Sequence, residues 1–200
     1  MAINKRYLSS VRTSEGDEVL TPRYAVLPIL KYVLMKGYKT VWCPFSLPSS
    51  KYVKVFQDAG LTVIHGHIAE GKDFFEQDVP ECDCVIDNPP FSKKDKILTK
   101  LYEIGKPFAL LLPQNSLQSK LRTSLFIKYG LEYLGFDKRI CFYTRSKDKK
   151  DEYHFTEEDL AHVKFSNHFA SGYFCYKMLP DKMILETLTE MDEPYNDSTN

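Results

Sequence analysis

Short apolar runs rich in β-branched and aromatic residues alternate with amphipathic helical segments along most of this 200-residue sequence. The runs typical of strands cover 40–45, 61–67, 82–87, 107–112, 131–136 and 172–178. Segments with helical spacing of apolar residues cover 21–37, 49–59, 93–104 and 117–129. A regular alternation of strand and helix predicts an α/β fold in which helices cover a mostly parallel sheet on both faces.

Local signals predict where the first two helices begin. The pair Thr21-Pro22 is typical of a helix start, with the threonine hydroxyl as N-cap and the proline at the first helical position. The second helix has Ser49 or Ser50 as its predicted cap, and Gly60 ends it.

The length suits one domain with short additional segments. A chain of this length can bury a stable hydrophobic core without disulfides or a structural metal. We expect an N-terminal arm over 1–14, a single domain over 15–182 and a C-terminal tail over 183–200. Within the domain, 137–170 is a polar insertion that could contact a substrate, because its charged stretch is too polar for the core.

Apolar runs in this sequence are too short for a membrane span, which needs about 20 residues. The first residues also lack the apolar stretch of a secretory signal. We therefore expect a cytoplasmic protein with no membrane partner.

The cysteines and histidines do not form a recognised metal-binding pattern. The five cysteines are Cys43, Cys82, Cys84, Cys141 and Cys175, and most lie in strand-like runs, which favours reduced, buried thiols. The histidines are His65, His67, His154, His162 and His168, and their spacing matches no common ligand set. We expect no metal.

Charge balance argues against a strong general attraction to a polyanion. Lysine plus arginine equals aspartate plus glutamate at 27 each, whereas proteins that bind duplex nucleic acid usually carry a basic excess. A local basic strip is still expected from the lysines at positions 93, 94, 96, 147, 149 and 150.

Asn88-Pro89-Pro90-Phe91 directly follows the strand-like run 82–87. In a parallel sheet, ligands bind beyond the carboxyl ends of the strands, so this is a position where functional residues are expected. A rigid turn would account for the asparagine and the two prolines. It would not account for an aromatic residue presented immediately after them.

The segment Asp87-Asn88-Pro89-Pro90-Phe91-Ser92 resembles the catalytic motif of the amino-methyltransferases, and its form is similar to that of the phage and prophage adenine-N6 enzymes. The resemblance implies a single-domain, Rossmann-like class I fold with a C-terminal antiparallel strand, and S-adenosylmethionine as cofactor. It also implies that the Asn88 side-chain oxygen and the Pro89 carbonyl accept hydrogen bonds from the target amine, while Phe91 stacks on an extruded base.

The resemblance extends to the predicted cofactor site, with departures. Asp17-Glu18 before Thr21-Pro22 is similar to the N-terminal cofactor motif, and Trp42-Cys43-Pro44-Phe45 is similar to the motif of the first strand. Cys43 stands where the family has an acid, and 47–50 replaces the usual glycines. Ser49 and Ser50 could instead present hydroxyls and helix N-terminal N–H groups to a carboxylate.

Two further segments match cofactor-binding positions of the family. His65-Gly66-His67, with Glu70 shortly after, lies where an acid normally binds the ribose, and we assign His67 to that role; surface or packing roles for these histidines stay open. Asp73-Phe74-Phe75 resembles the segment in which an acid receives the adenine amine and an aromatic packs on its ring. For Asp73, a helix-capping role is the alternative.

The function predicted from the resemblance is methyl transfer to adenine N6, in DNA rather than RNA, inside a phage-infected bacterial host. Lys93, Lys94 and Lys96 are the predicted nucleic-acid contacts. Because only 137–170 is available for target recognition, specificity should be short unless a homodimer or a second subunit supplies it. Alternatives are a catalytically degenerate fold serving as an accessory or anti-defence binding protein, and methylation of RNA or of protein glutamine.

Overall fold

The structure is a computed structural model that describes residues 19–144, 164–166 and 169–189. The predicted arm, Asp17-Glu18, the lysines at 147, 149 and 150, and the histidines at 154, 162 and 168 lie outside the described residues.

Ten strands form two sheets within the described part of the chain. In chain order they are β1 (Val19–Leu20), β2 (Thr40–Cys43), β3 (Thr62–His65), β4 (Cys84–Asp87), β5 (Phe108–Pro113), β6 (Glu132–Phe136), β7 (Cys141–Thr144), β8 (Lys164–Ser166), β9 (Ser171–Tyr176) and β10 (Met183–Glu186). The large sheet has the order β10-β6-β9-β5-β4-β2-β3, and the small sheet has the order β1-β7-β8.

The large sheet is parallel except at one strand. β2 pairs in parallel with β3 and β4, β4 with β5, and β6 with β10. β9 lies antiparallel between β5 and β6. The predicted fold class is confirmed: this is an α/β, Rossmann-like fold with a mostly parallel sheet and an antiparallel strand near the C-terminus.

Four α-helices cover the two faces of this sheet: α1 (Arg23–Met35), α2 (Lys51–Asp58), α3 (Lys94–Ile104) and α4 (Lys120–Tyr129). One core cluster joins α1 and α2 to the strands through residues such as Ile29, Phe56 and Ile86. The other joins α3 and the sheet through Leu98, Phe108 and their neighbours. Successive strand residues point to opposite faces, so each buried strand contributes to both clusters.

The two predicted helix starts have different outcomes. Ser50 is the N-cap of α2, because its side chain accepts a hydrogen bond from Tyr52 N at 3.3 Å. The predicted Thr21 cap is wrong: Pro22 occupies the N-cap position of α1, and no side chain caps that helix. The Thr21 hydroxyl is bonded to Asn88 instead.

The sheet extends into the segment that the sequence analysis assigned to a tail. β10 pairs with β6 over four residues, and Leu188 is buried, with its N–H donating to Asp137 Oδ1 at 2.9 Å. The ordered fold therefore continues to about residue 188, beyond the predicted boundary at 182. β10 has only four residues, a run too short to stand out from the polar sequence on either side of it.

The ends of the predicted insertion build the small sheet. β7 pairs with β1 and with β8, both antiparallel. Because β1 ends at Leu20, directly before Thr21, the base of the insertion is connected to the segment that contacts Asn88.

No helix in the described ranges is both long and apolar enough to cross a membrane. All five cysteines have free thiols, and all except the half-buried Cys141 are buried.

Candidate functional site

The carboxyl ends of β2, β4 and β5 meet at one edge of the sheet because these strands are parallel neighbours. From β2 the chain proceeds outward to β3, and it then returns to β4 on the other side of β2. The gap between the ends of β2 and β4 is therefore the topological switch point, where open α/β sheets bind their ligands. Asn88-Pro89-Pro90-Phe91 leaves β4 at this point.

Asp87, the last residue of β4, connects the two sides of the switch point. Its carboxylate accepts hydrogen bonds from Phe45 N at 2.7 Å, Ser46 Oγ at 2.8 Å and Asn88 N at 2.8 Å. Only 1% of the residue is exposed. Burial raises the pKa of Asp87 to about 7, although these three donors act in the opposite direction.

Asn88 is held from the other side by the segment that precedes α1. Its Nδ2 donates to Thr21 Oγ1 at 3.2 Å, and Thr21 is buried. The structure thus brings together two residues, Thr21 and Asn88, that the sequence analysis assigned to different motifs. Pro89 is buried and Pro90 is half-buried, so a rigid segment follows the asparagine.

Phe91 begins a short 3-10 turn at Phe91–Lys93, and its side chain is half-buried. Its ring contacts the ring of Phe169 edge-on, with 5.9 Å between centroids. Lys94 Nζ donates to the carbonyl of Phe91 at 3.0 Å. One donor of the Lys94 ammonium is therefore used by the main chain of the motif, and its predicted contact with nucleic acid stays a prediction.

The other two predicted lysines line an open cleft. This cleft of about 610 Å³ is bounded by Phe75, Ser92, Lys93, Asp95 and Lys96. Lys93 Nζ lies 6.0 Å from the centre of the Phe75 ring. Asp95, the acid in this lining, is paired with the buried guanidinium of Arg122, which leaves the exposed Lys93 and Lys96 as the cations.

Arg122 also holds the loop that follows β5. Its Nε donates to the Ser116 carbonyl at 2.6 Å, and its Nη2 donates to the Gln118 carbonyl at 3.1 Å. The carboxyl end of β5 and the start of α3 are therefore connected through a single buried cation.

The turn after β2 lacks glycine between 44 and 50, and hydrogen bonds order it instead. Phe45 N donates to Asp87, Ser46 N donates to the Cys43 carbonyl at 3.4 Å, and Ser46 Oγ lies 3.0 Å from Ser50 Oγ. Asp87 thus provides a carboxylate to this turn from β4, while Cys43 on β2 contributes no acid to it.

Aromatic rings fill the space beneath this turn. The centroids of Phe45 and Phe74 are 4.9 Å apart, and those of Trp42 and Phe74 are 5.6 Å apart. Both distances lie in the range of direct contact, about 4.5–7 Å, so no third ring fits between the pairs.

The side chains of the buried members of this group pack in the core, and their predicted contacts with a cofactor stay predictions. Trp42, Cys43 and Phe74 are at most 3% exposed, and Pro44 is also buried. Phe45 is half-exposed and is the ring of this pair that a ligand could reach. The assignment of the 42–45 segment to the cofactor, through its main chain, stays a prediction.

His65, the last residue of β3, and His67, two residues later, differ in their hydrogen bonds. His67 Nδ1 accepts from Ala69 N at 3.1 Å, which caps a 3-10 turn at Ile68–Glu70. This capping uses Nδ1 of His67, and the predicted contact of this residue with the ribose stays a prediction. His65 Nδ1 is buried, lies 3.9 Å from Glu70 Oε2 and has no hydrogen-bond partner among the described residues.

Asp73 has a local role at the start of its segment. Its Oδ1 accepts from Phe75 N at 2.8 Å, so one carboxylate oxygen stabilises a turn. The proposed contact with a cofactor amine would use the other oxygen, and it stays a prediction.

These groups can be matched to S-adenosylmethionine. His65 Nδ1 is a buried nitrogen without a partner in the described structure, at the carboxyl end of β3. Phe45 offers a ring face, and Asp73 offers a carboxylate oxygen for an adenine amine. The donor set fits a nucleoside, with His65 in the place predicted for His67. Metal ligands show no comparable arrangement: no group of three suitable side chains occurs in the part of the chain that is described.

Sequence reasoning missed Asp87, Tyr52 and Tyr173 as parts of this site. Asp87 lies inside the recognised motif, so its position next to Asn88 was a usable signal. The two tyrosines are 121 residues apart, yet their hydroxyls are 3.0 Å apart. Only the strand order brings them together.

No protein-family profile and no curated protein matches this chain. Among solved structures, it is similar to a candidate class I S-adenosylmethionine-dependent methyltransferase from Listeria monocytogenes, with 11% identity and a TM-score of 0.46. The match covers 94% of this chain and 73% of the other. At this level of likeness the comparison says nothing about what the present chain binds or does; the strand order alone carries the fold.

Proposed function

We propose that this chain transfers a methyl group from S-adenosylmethionine to the exocyclic N6 amine of adenine, in DNA rather than RNA. The observation that carries the proposal is the position of Asn88-Pro89-Pro90-Phe91 at the topological switch point, between Asp87 and Thr21, which hold it from two sides. A simple turn would need neither contact.

Adenine's amine is a poor nucleophile because its lone pair is delocalised into the ring. In the proposed reaction, the Asn88 side-chain oxygen and the Pro89 carbonyl accept its two N–H groups and favour a more tetrahedral nitrogen. S-adenosylmethionine, when bound, supplies an electrophilic methyl group. Residues proposed to hold it are His65, Asp73 and Phe45, with the main chain after β2.

Access to the amine requires that the base leaves its stack. Phe91 is proposed to stack on the extruded base, replacing its contact with Phe169. Lys93 and Lys96, beside the cleft, are proposed to bind phosphate. The insertion attached to β7 and β8 is proposed to contact the target, alone or with a second copy or subunit.

The direct test is tritiated methyl transfer to unmethylated DNA and, separately, to RNA, followed by mass spectrometry of nucleosides. N6-methyladenine in DNA is the expected product. Its formation in RNA alone would change the substrate, and methylated glutamine in protein would change the substrate class. Transfer to none of these substrates would contradict the proposal.

A second candidate is a methyltransferase fold that has lost catalysis and binds nucleic acid or a host protein as an accessory. The contact between Phe45 and Phe74, together with the absence of glycine from the turn, favours it. Calorimetry with S-adenosylmethionine separates the two candidates. Saturable heat supports the enzyme, and no heat from correctly folded protein supports the binding protein.

A further inference from the structure

A chain of buried hydroxyl groups leads from Asn88 into the core. Asn88 Nδ2 is 3.2 Å from Thr21 Oγ1. The Thr21 side chain also acts on the Tyr52 hydroxyl as a hydrogen-bond donor, which works to lower the pKa of that phenol. The Tyr52 hydroxyl is 3.0 Å from that of Tyr173, which donates to the Ala25 carbonyl at 2.9 Å. Thr21, Tyr52 and Tyr173 are 6%, 1% and 0% exposed, respectively.

The direction of each hydrogen bond in this row of hydroxyl groups follows from the innermost acceptor, the Ala25 carbonyl. A carbonyl oxygen can only accept, so the Tyr173 proton goes to Ala25. The Tyr173 oxygen then accepts from Tyr52, and the Tyr52 oxygen accepts from Thr21. With its one proton given to Tyr52, Thr21 can only accept from the side chain of residue 88.

Both tyrosines stay protonated and can therefore donate, because burial raises their pKa values. Burial raises the pKa of Tyr173, and the hydrogen bond from Tyr52 acts in the opposite direction, as a bond donated to a phenol oxygen should. Burial likewise raises the pKa of Tyr52, while the bond from Thr21 acts to lower it.

We propose that Tyr173 and Tyr52 are positioning residues that determine, through Thr21, which way the Asn88 amide points. Because Thr21 offers only an oxygen lone pair, the amide must place Nδ2 on Thr21, and Oδ1 is kept for the target amine. The flipped amide would present N–H groups to an amine that itself donates, and catalysis would fail. This inference rests on the proposed function for its consequence, but not for its geometry.

Tyr173→Phe removes the hydroxyl group that is bonded to the Ala25 carbonyl and that fixes the direction of the other hydrogen bonds. The Tyr52 proton then has no phenol oxygen to meet and can turn to Thr21, whose own proton can turn to Asn88 Oδ1. We expect kcat for methyl transfer to fall about tenfold, as for one misdirected hydrogen bond, with unchanged S-adenosylmethionine affinity. The matched control is Tyr102→Phe, because Tyr102 is 3% exposed and donates to the Gly130 carbonyl at 2.8 Å, away from the site. Equal kcat in the two variants would overturn the proposal.

A second measurement does not depend on activity. In Asn88→Asp, a carboxylate oxygen facing Thr21 requires a donated proton, which the wild-type direction denies it. Tyr173→Phe lets the hydrogen bonds between Tyr52, Thr21 and residue 88 reverse their direction, so that Thr21 can donate that proton. Asn88→Asp should therefore cost less unfolding free energy in the Tyr173→Phe background than in the wild type, and an equal cost in both would overturn the proposal.

These two tests separate the inference from the proposed function. If the wild type shows no methyl transfer, the proposed function is contradicted. The unfolding free energies of Asn88→Asp in the two backgrounds still decide in which direction the hydroxyl groups donate. If Tyr173→Phe does not fold, Thr21→Val and Thr21→Ser take its place. The valine should lower kcat and the serine should restore it, because only the serine keeps a hydroxyl at that position. A valine variant with unchanged kcat would overturn the proposal.

Discussion

The carboxyl ends of β4 and β3 lie at the same edge of the sheet, but they are organised differently. At β4, Asp87 and Asn88 are hydrogen-bonded to the turn after β2 and to the segment before α1. At β3, His65 Nδ1 is buried with no hydrogen-bond partner among the residues that the structure describes. The first end is preorganised by the protein, whereas the second has a buried polar atom that a ligand could satisfy.

The difference agrees with the proposed function, in which the end of β4 contacts the target amine and the end of β3 contacts the cofactor. Groups that must meet a transition state are most effective when their partners already hold them in place. Groups that bind a ligand keep hydrogen-bonding capacity for it, at a cost to the unliganded fold. Asp87 acts beyond its own strand end, because it also orders the turn after β2 that lacks glycine.

The largest expected effect concerns Asp87 and the pH dependence of stability. Its pKa is about 7 in the folded protein, against an ordinary value of 3.8. The folded state therefore holds this proton more tightly than the unfolded state. The stability that this group contributes is complete below about pH 4 and is lost as the pH rises to about 7. The loss totals on the order of 4 kcal/mol, at about 1.4 kcal/mol per pH unit.

Urea unfolding of the wild type and Asp87→Asn between pH 5 and pH 7 tests this expectation. The variant has no titrating group at this position, so the free energy of unfolding should decline less steeply with pH than in the wild type. Equal slopes would show that Asp87 is ionised throughout this range, and its three donors would then outweigh burial.

The second prediction concerns the catalytic end. Asn88→Ala removes the proposed acceptor of the amine, and such a loss typically costs on the order of 3 kcal/mol, or a hundredfold or more in kcat. Cofactor affinity should stay nearly intact, because the bond matters chiefly as the nitrogen becomes tetrahedral. Asn115→Ala, an exposed asparagine after β5, is the matched control. Equal methylation rates in wild type and Asn88→Ala would make Asn88 a turn residue.

The third prediction separates base capture from chemistry. Phe91→Ala should raise KM for DNA, because stacking on a base is worth roughly 1–3 kcal/mol. Phe91→Tyr should be tolerated, since a phenol stacks equally well. Steady-state kinetics on DNA with both variants checks this, and a tyrosine variant as impaired as the alanine variant would show that Phe91 is a packing partner of Phe169.

The sequence alone predicted the architecture well because strand and helix periodicity is a local property. The four helices and six strands of the large sheet were located to within a few residues. β10 was missed because it is a run of only four residues within a mostly polar segment. The Thr21 cap failed because a distant residue, Asn88, binds the hydroxyl that a helix end would otherwise use.

The site was less predictable, since its contacts are made across the sheet. The motif at 88–91 could be located from residue types and from its place after a strand. The sequence could not show which of the two histidines is available to a ligand. His65 ends β3 and His67 lies two residues later, and only the structure shows that His67 caps a turn. The hydroxyl chain from Thr21 to Tyr173 requires β9 beside β5, a pairing that no local pattern encodes.

The fourth prediction concerns the cleft that Lys93 and Lys96 line. Neutralising Lys93 and Lys96 by glutamine should weaken DNA binding and reduce the slope of log affinity against log salt by about 1.8, because each phosphate contact contributes about 0.9. Lys94→Gln is the matched control, since its ammonium donates to the Phe91 carbonyl. Fluorescence anisotropy over a range of salt concentrations measures the slope. An unchanged slope in the double variant would point away from phosphate and toward a protein partner.

The smallest expected effect would sharpen the difference between the two strand ends most directly. If His65 Nδ1 bonds a ribose hydroxyl, His65→Ala removes one neutral hydrogen bond, which is worth about 0.5–1.5 kcal/mol. Calorimetry with S-adenosylhomocysteine should then show an affinity about 2-fold to 12-fold weaker. His67→Ala should affect affinity less, because His67 Nδ1 is bonded to Ala69 N within its own turn. A larger loss in His67→Ala than in His65→Ala would return the ribose contact to His67, and the buried nitrogen of His65 would then be a feature of packing alone.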